Sequence, residues 1–393
     1  MKDAERVMNP IKNVLIVGGG IGGLTLAVAL GRQGLRAEVI ELKPEHKVFG
    51  VGIIQPGNAL RALRTLGLMD VCLAEGFQTD HYAMYDAGGD FIARMQLLRI
   101  AGAATPAVNG MPRTALHRIL TEAAETAGAR IRLGLTVSAI TSHTDRVDVV
   151  LSDGSEETYD LVVGADGIRS HVRQMIFGEE FEPQFTGHGV WRFTVPRVAE
   201  VDHQIMLYGV GVKAGVMPVS KEQMYLLLVT NEPGNPWIPP DSLDRLLRER
   251  LKPFTAPVVT AIRDQINDPA KVIYGPIEEV ILPSPWYRGR VLLIGDAAHA
   301  SGPHVSQGAT MAIEDAIVLA ELVGRGLPAE TVLTQFMARR YARCKFVQDV
   351  SRQVGRDGNI DDPIACAERN DRMRESFRDP SPRPHELRMA EPI

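Results

Sequence analysis

Cysteine is scarce: only Cys72, Cys344 and Cys366 occur in 393 residues, and their spacing matches no metal or redox motif. That excludes a disulfide framework and fits a reducing, cytoplasmic setting. His and Cys do not cluster at zinc-ligand spacing, so no metal centre is expected. A G-x-S-x-G elbow, which would mark a serine nucleophile, is also missing. Basic residues show no excess: 43 Lys and Arg against 48 Asp and Glu leave a net charge of −5 with no basic stripe. Nucleic acid is therefore not an expected partner. Long apolar runs are absent but for one uncharged stretch, Val14 to Leu30. It falls short of the ~20 residues a membrane span needs, and its five glycines suit a turn, so it reads as a strand and a buried helix. No membrane contact and no targeting segment are expected. What the chain does have is length and an apolar content of 45%, enough for a large core divided into two domains.

Three motifs stand out, each following an apolar strand and each more than 100 residues from the next. Gly18-Gly19-Gly20-Ile21-Gly22-Gly23 follows Val14-Leu15-Ile16-Val17. Gly164-Ala165-Asp166-Gly167-Ile168-Arg169-Ser170 follows Leu161-Val162-Val163. Gly295-Asp296-Ala297-Ala298-His299 follows Val291-Leu292-Leu293-Ile294. Open α/β sheets place ligands at the carboxyl ends of their strands, so three such motifs point to one long cofactor gripped at several places. In the first, Gly18, Gly20 and Gly23 have the G-x-G-x-x-G spacing. That spacing supplies a tight turn, a close backbone approach to a pyrophosphate and close helix–strand packing. The helix from Leu24 to about Arg32 points its amide N–H groups at the phosphates. A second strand, Ala37-Glu38-Val39-Ile40, ends at Glu41, an acid placed to accept hydrogen bonds from ribose hydroxyls.

With these motifs the chain resembles the FAD-dependent aromatic hydroxylases, single-component flavoprotein monooxygenases of the p-hydroxybenzoate hydroxylase class, which include 6-hydroxynicotinate and salicylate hydroxylases. The likeness runs from about residue 11 to about residue 350. It implies an α/β fold: a Rossmann-like FAD-binding domain with an inserted β-rich substrate domain. By the resemblance, Gly18, Gly20, Ile21, Gly22 and Gly23 hold the ADP half of FAD with Glu41. Asp166, with Arg169 and Arg173 behind it, serves both FAD and the incoming nicotinamide. Gly295 and Asp296 hold the ribityl and pyrophosphate part. The stretch Ser301-Gly302-Pro303-His304-Val305-Ser306-Gln307-Gly308-Ala309 is similar to the family's loop beside the isoalloxazine. A helix beginning near Gln307–Gly308 aims its N–H groups at the flavin and stabilises its reduced anion. Where many relatives have a second proline and a glycine, this chain has Gly302 and Val305.

The resemblance further implies the reaction. NADH or NADPH reduces FAD, O2 adds to give a C4a-hydroperoxyflavin, and hydroxyl is transferred to a small aromatic: a phenol, an aromatic acid or a pyridinol. Gly52 falls in the family's flavin-side loop, followed by a helix of roughly 58–66. Arg113 opens a helix where relatives place a flavin contact; otherwise it is a solvated helix-end arginine. His304 follows Pro303 as a histidine does in 6-hydroxynicotinate hydroxylase, where it faces the substrate. A histidine there could accept a phenolic proton or donate a hydrogen bond to an acidic substrate near neutral pH, or it is a structural loop histidine. Arg192 alternates with Trp191 and Phe193 and reads either as a carboxylate binder or, the favoured reading, as an exposed charge.

The expected division is a discontinuous FAD-binding domain (11–75, 102–180 and 285–355) and a β-rich substrate domain (76–101 and 181–284). An irregular tail (356–393), rich in charge and proline, follows. The active site is expected between the domains, and the enzyme is expected as a monomer or homodimer. Two other classes stay open: a flavin-dependent reductase or dehydrogenase without oxygen transfer, and a non-catalytic flavin-binding module. The missing Trp-x-Trp-x-Ile-Pro signature disfavours halogenation.

Overall fold

The computed structural model describes residues 10–45 and 50–393. Along the chain, β1 (Asn13–Val17), α1 (Ile21–Arg32) and β2 (Arg36–Glu41) form the opening βαβ unit. Then come β3 (Gly52–Pro56), α2 (Gly57–Thr65), β4 (His81–Asp86), β5 (Phe91–Gln96), β6 (Val108–Pro112), α3 (Arg113–Thr126) and β7 (Arg130–Leu133). The second motif lies between β8 (Leu161–Gly164) and α4 (His171–Phe177). Four strands follow: β9 (Gln184–Pro196), β10 (Gln204–Tyr208), β11 (Val212–Pro218) and β12 (Gln223–Asn231). After them stand α5 (Leu243–Arg250), α6 (Pro257–Arg263), β13 (Val272–Glu279), β14 (Tyr287–Arg288) and β15 (Val291–Leu293). Four helices end the chain: α7 (Gly308–Gly324), α8 (Ala329–Gly358), α9 (Pro363–Ser376) and α10 (Pro384–Ala390).

Two sheets organise the molecule. The first has six strands in the order β14-β15-β8-β1-β2-β7, parallel except for β14. Its central strands are apolar on both faces, as a sheet covered on both sides requires: Val14, Leu15, Ile16, Leu161, Val162 and Val163 are all fully buried. The three motifs leave from β1, β8 and β15, which are neighbours, so segments far apart in sequence meet at one sheet end. That sheet order is what assembles a single site.

The second sheet has seven strands in the order β13-β9-β12-β11-β10-β4-β5, and the β4–β5 hairpin joins strands from much later in the chain. Alternation splits its residues by face. Trp191, Phe193, Ala214, Val216, Leu226 and Leu228 pack into a core with Leu247, Phe254 and Val259 from the α5–α6 region. The opposite face carries Arg192, Met206, Lys213, Met217, Tyr225 and Leu227, and these line a cavity.

One expectation needs correction. The tail is not irregular: α9 and α10 occupy most of it. Asp362 caps α9 through the amide of Ala365, with Pro363 in the first turn, while Glu386 accepts from the Arg383 amide at the start of α10. Arg61 donates to the carbonyls of Met389, Ala390 and Glu391, and Arg343 to those of Arg388 and Met389. The end of α10 is thereby fastened to α2 and α8. Ahead of β8, three further strands (Val137–Ser142, Val147–Leu151 and Glu156–Tyr159) form a separate antiparallel sheet.

Candidate active site

A cavity of about 730 Å³ opens between the two sheets. Eleven of the residues anticipated as a site line it: Gly20, Ile21, Gly22, Gly52, Arg113, Gly295, Asp296, Pro303, His304, Gly308 and Ala309. Gly18, Gly23, Glu41 and Asp166 do not; they shape the walls from behind.

Gly18 sits at φ +115°, a conformation L side chains rarely adopt, and a Cβ there would come within 2.4 Å of the Ala165 carbonyl oxygen. The first motif therefore lies directly against the second. A Cβ on Gly23 would lie 2.0 Å from the Gly18 carbonyl oxygen, so glycine is what lets α1 settle on β1. The Glu41 carboxylate accepts from the Gly19 amide at 2.9 Å and from the Lys43 amide at 3.0 Å, bracing the turn. The first turn of α1 has no side-chain cap, so its amides are left facing the cavity wall at Gly20, Ile21 and Gly22. Such a helix end attracts an anion.

The Asp166 carboxylate turns away from the cavity. It accepts from Ser170 Oγ at 2.5 Å and from the Val172 amide at 3.0 Å, so it braces the start of α4. Burial pushes its pKa up against those hydrogen bonds. Arg173, almost wholly buried, donates to the carbonyls of Ile168 and Ala297 and ties the second motif to the third. Arg169 instead pairs with Glu278 at 2.6 Å near the surface. Gly295, at φ +59°, donates its amide to Asp315, while the exposed Asp296 carboxylate faces the cavity. His299 donates to Asp315 at 2.6 Å and is held protonated there, its pKa well above the usual value despite burial. Arg340 bridges Asp315 and Glu314, and Arg343 holds Glu314. This buried network locks α7 to α8. It also contains the one His/Cys/Asp/Glu grouping of metal-ligand type among the described residues, His299, Asp315 and Cys344.

The loop after the third motif ends in a left-handed Ser306, φ +56°, before α7 begins at Gly308 without a side-chain cap. Its amides face the cavity at Gly308 and Ala309. Gln307 exchanges hydrogen bonds with the buried Asn58, which fixes this helix end. Arg113 extends along the cavity wall with its Nε buried and lacking a partner among the described residues.

These features fit FAD. Two uncapped helix N-termini suit its phosphates and ring edge, the exposed Asp296 carboxylate at the cavity wall suits its hydroxyls, and the buried Nε of Arg113, without a partner among the described residues, suits an acceptor on the flavin. A Cβ on Gly52 would strike Tyr225 at 2.6 Å, so that glycine keeps β3 close to the seven-stranded sheet.

On that sheet, the favoured reading of Arg192 is corrected: it is not a surface charge but lines the cavity close to Tyr225 and Arg113, where the other reading, a carboxylate binder, would put it. Alternation alone assigned its face; the burial of the opposite face by α5 and α6 decides which way it looks. Burial draws its pKa down and raises that of Tyr225. The surroundings of His304 bear on its two readings. Burial, with the Lys213 ammonium 3.3 Å from its Nδ1, pushes its pKa down to about 2. The ring is therefore neutral at pH 7, with Nε2 close against Gly355, which favours the structural-loop reading. The sequence reading missed Lys213 and the tail residues His385, Glu386 and Met389, all of which line the cavity. The Asp362-Pro363 pair and Glu386 two residues after Pro384 were legible helix-start signals.

Among the described residues, no helix is long and apolar enough to cross a membrane. The FAD binding domain model matches residues 12–350. The putative FAD-dependent monooxygenase YetM of Bacillus subtilis is 33% identical over 348 residues, 88% of this chain and 94% of that protein. A 3-hydroxybenzoate 6-hydroxylase of Aquipseudomonas alcaligenes is 30% identical over 365 residues, 86% of this chain and 88% of its own length. Klebsiella pneumoniae HpxO R204Q complexed with FAD superposes with a TM-score of 0.84 at 25% identity, covering 93% and 94% of the two chains. Matched along most of its length, this chain belongs to the FAD binding domain family and is an FAD-dependent, NAD(P)H-using flavoprotein monooxygenase.

Proposed function

We propose that the enzyme hydroxylates a small aromatic ring bearing an oxygen substituent, in a cavity with the six-stranded layer as its cofactor side and the seven-stranded sheet as its substrate side. When bound, FAD accepts hydride from NAD(P)H and activates dioxygen for transfer to the ring. The amides of α1 bind the pyrophosphate, Asp296 takes the ribityl hydroxyls, and Arg113 donates to the flavin side through its free Nε. The amides at Gly308 and Ala309 place positive potential where charge accumulates on the reduced ring. Pro303 and His304 form the turn that separates this helix end from the substrate floor. Met206, Met217 and Leu227 supply an apolar bed that excludes water, as transfer of an electrophilic oxygen requires. Arg192 and Tyr225 act at one side of that bed as hydrogen-bond donors to an oxygen on the ring.

The observation that carries this reading is one cavity holding both the uncapped helix ends and the apolar sheet face. The test is a screen of phenols, aromatic acids and pyridinols for stimulated NAD(P)H consumption, with product measured per NAD(P)H consumed. Stimulation with peroxide as the sole product from every compound would refute it.

A further inference from the structure

The cavity face of the seven-stranded sheet carries a second cation that the roles above leave unused. In β11, Lys213 shares a face with Gly215 and Met217, while Ala214 and Val216 point into the core. Register pairs Lys213 with Tyr208 and Val229, and Arg192 with Leu227, which pairs in turn with Gly215. The two cations therefore stand two strands and two residues apart, about 12 Å between Cα atoms at ordinary strand spacings. Gly215 and Leu227 lie between them.

Lys213 is 2% exposed and has no ion-pair partner among the described residues. Its ammonium donates to His304 Nδ1 at 3.3 Å. The end of α8 closes one side so tightly that a Cβ on Gly358 would lie 2.9 Å from Nζ. The other groups facing it are Tyr208 of β10, His188 of β9 beyond His304, Asp357 of α8 and Arg369 of α9, the last two acting with opposite sign. Desolvation brings its pKa down to about 8, so the group remains largely cationic at neutral pH. Burying an ammonium without a counter-ion is strongly unfavourable. This one is kept at a cavity wall, braced by a histidine that lacks a second role.

We propose that Lys213 is the anion-recognising group of the substrate cavity, binding a negatively charged oxygen, carboxylate or phenolate, on the aromatic substrate. His304 is then a positioning residue: its Nδ1 accepts one ammonium proton and aims the others into the cavity. The inference rests on the hydroxylase reading for the nature of the ligand, but not on turnover.

The test titrates the FAD-loaded protein with benzoate and with benzamide, following the flavin absorbance change. The wild type should bind benzoate roughly tenfold or more tightly than benzamide, as expected of a hydrogen bond to a charged group. Lys213→Met should abolish that preference while leaving benzamide affinity and flavin content in place. The pH dependence follows from the sign of the charge. Benzoate affinity is full below the lysine pKa and falls as pH rises from about 7 to about 9, through a range where His188, His304 and Tyr208 do not titrate. Lys213→Arg should keep the preference at the upper end, because a guanidinium stays charged. If Lys213→Met loses flavin, the pH profiles of the wild type and Lys213→Arg decide alone. No acid preference in the wild type, or a preference that survives Lys213→Met, overturns the proposal. Loss of the preference in Arg192→Met but not in Lys213→Met would move the anion to the other cation and overturn it too. A Lys213-dependent benzoate preference without any aromatic-stimulated product formation would leave this site standing and refute the hydroxylase substrate reading instead.

Discussion

The two sheets offer different groups to the cavity. At the end of the six-stranded sheet these groups are largely backbone: the first turns of α1 and α7, with glycines admitting a close approach. On the seven-stranded sheet they are side chains, Arg192, Lys213, Tyr225 and the methionines, standing on a floor whose backbone is occupied with strand pairing. A backbone grip constrains residue identity at fixed spacing, so it leaves a mark in sequence. A side-chain grip constrains only position, and any residue of suitable chemistry can stand there. The first half should therefore fail as a unit when its glycines change, and the second should change what the enzyme accepts.

The largest break of that contrast is Gly23→Val. With the Gly18 carbonyl 2.0 Å from any added Cβ, α1 must move off β1. We expect a loss of about 3 kcal/mol or more in stability together with the flavin, read by thermal denaturation and by flavin absorbance. Retention of both would show that the backbone grip is not as tight as described. Arg340→Met removes the cation between Asp315 and Glu314 and should cost about 3–5 kcal/mol, since it strands two buried carboxylates. Urea denaturation measures it, and a cost near zero would mean that His299 and Arg343 suffice.

Asp296→Ala sharpens the comparison from the cofactor side. Losing charge-assisted hydrogen bonds should weaken FAD binding roughly 10- to 100-fold with the fold intact. Full flavin occupancy after dialysis would remove Asp296 from the site. Arg192→Met does the same from the substrate side: kcat/KM should fall by about tenfold or more while flavin content stays unchanged. Loss of flavin in that variant would contradict the division of labour between the two sheets. The smallest effect is expected of Glu386→Ala. It frees the amides of Leu98 and Arg383 and should cost about 1 kcal/mol, typical of a lost helix cap, in a melting experiment.

How legible each part was in the sequence follows from the same contrast. Gly18, Gly20, Gly23 and Asp296 stand in motifs directly after apolar strands, whereas Gly308 was legible only through the family resemblance, and the order of the six-stranded sheet brings the motif segments to one end. Arg192 was legible only as one of two alternating faces. Which face looks into the cavity depends on α5 and α6, which arrive some fifty residues later in the chain. His304 lines the cavity beside Pro303, yet its ionisation depends on burial and on Lys213, ninety-one residues away in sequence. The tail was misread because its proline and charge were weighed as composition. Their positions, Asp362 before Pro363 and Glu386 after Pro384, are those of helix starts.

The alternation of β9, β11 and β12 has a further consequence for how such an enzyme can diversify. Trp191, Phe193, Ala214, Val216, Leu226 and Leu228 answer to the packing of α5 and α6 and are not free to vary in size. Arg192, Lys213, Met217 and Leu227, of the opposite parity, line the cavity instead. Stability and substrate choice are thus written on the same strands at alternate letters. New specificities can arise by single substitutions at one parity without disturbing the other, whereas an insertion of one residue would exchange the two roles along the whole strand.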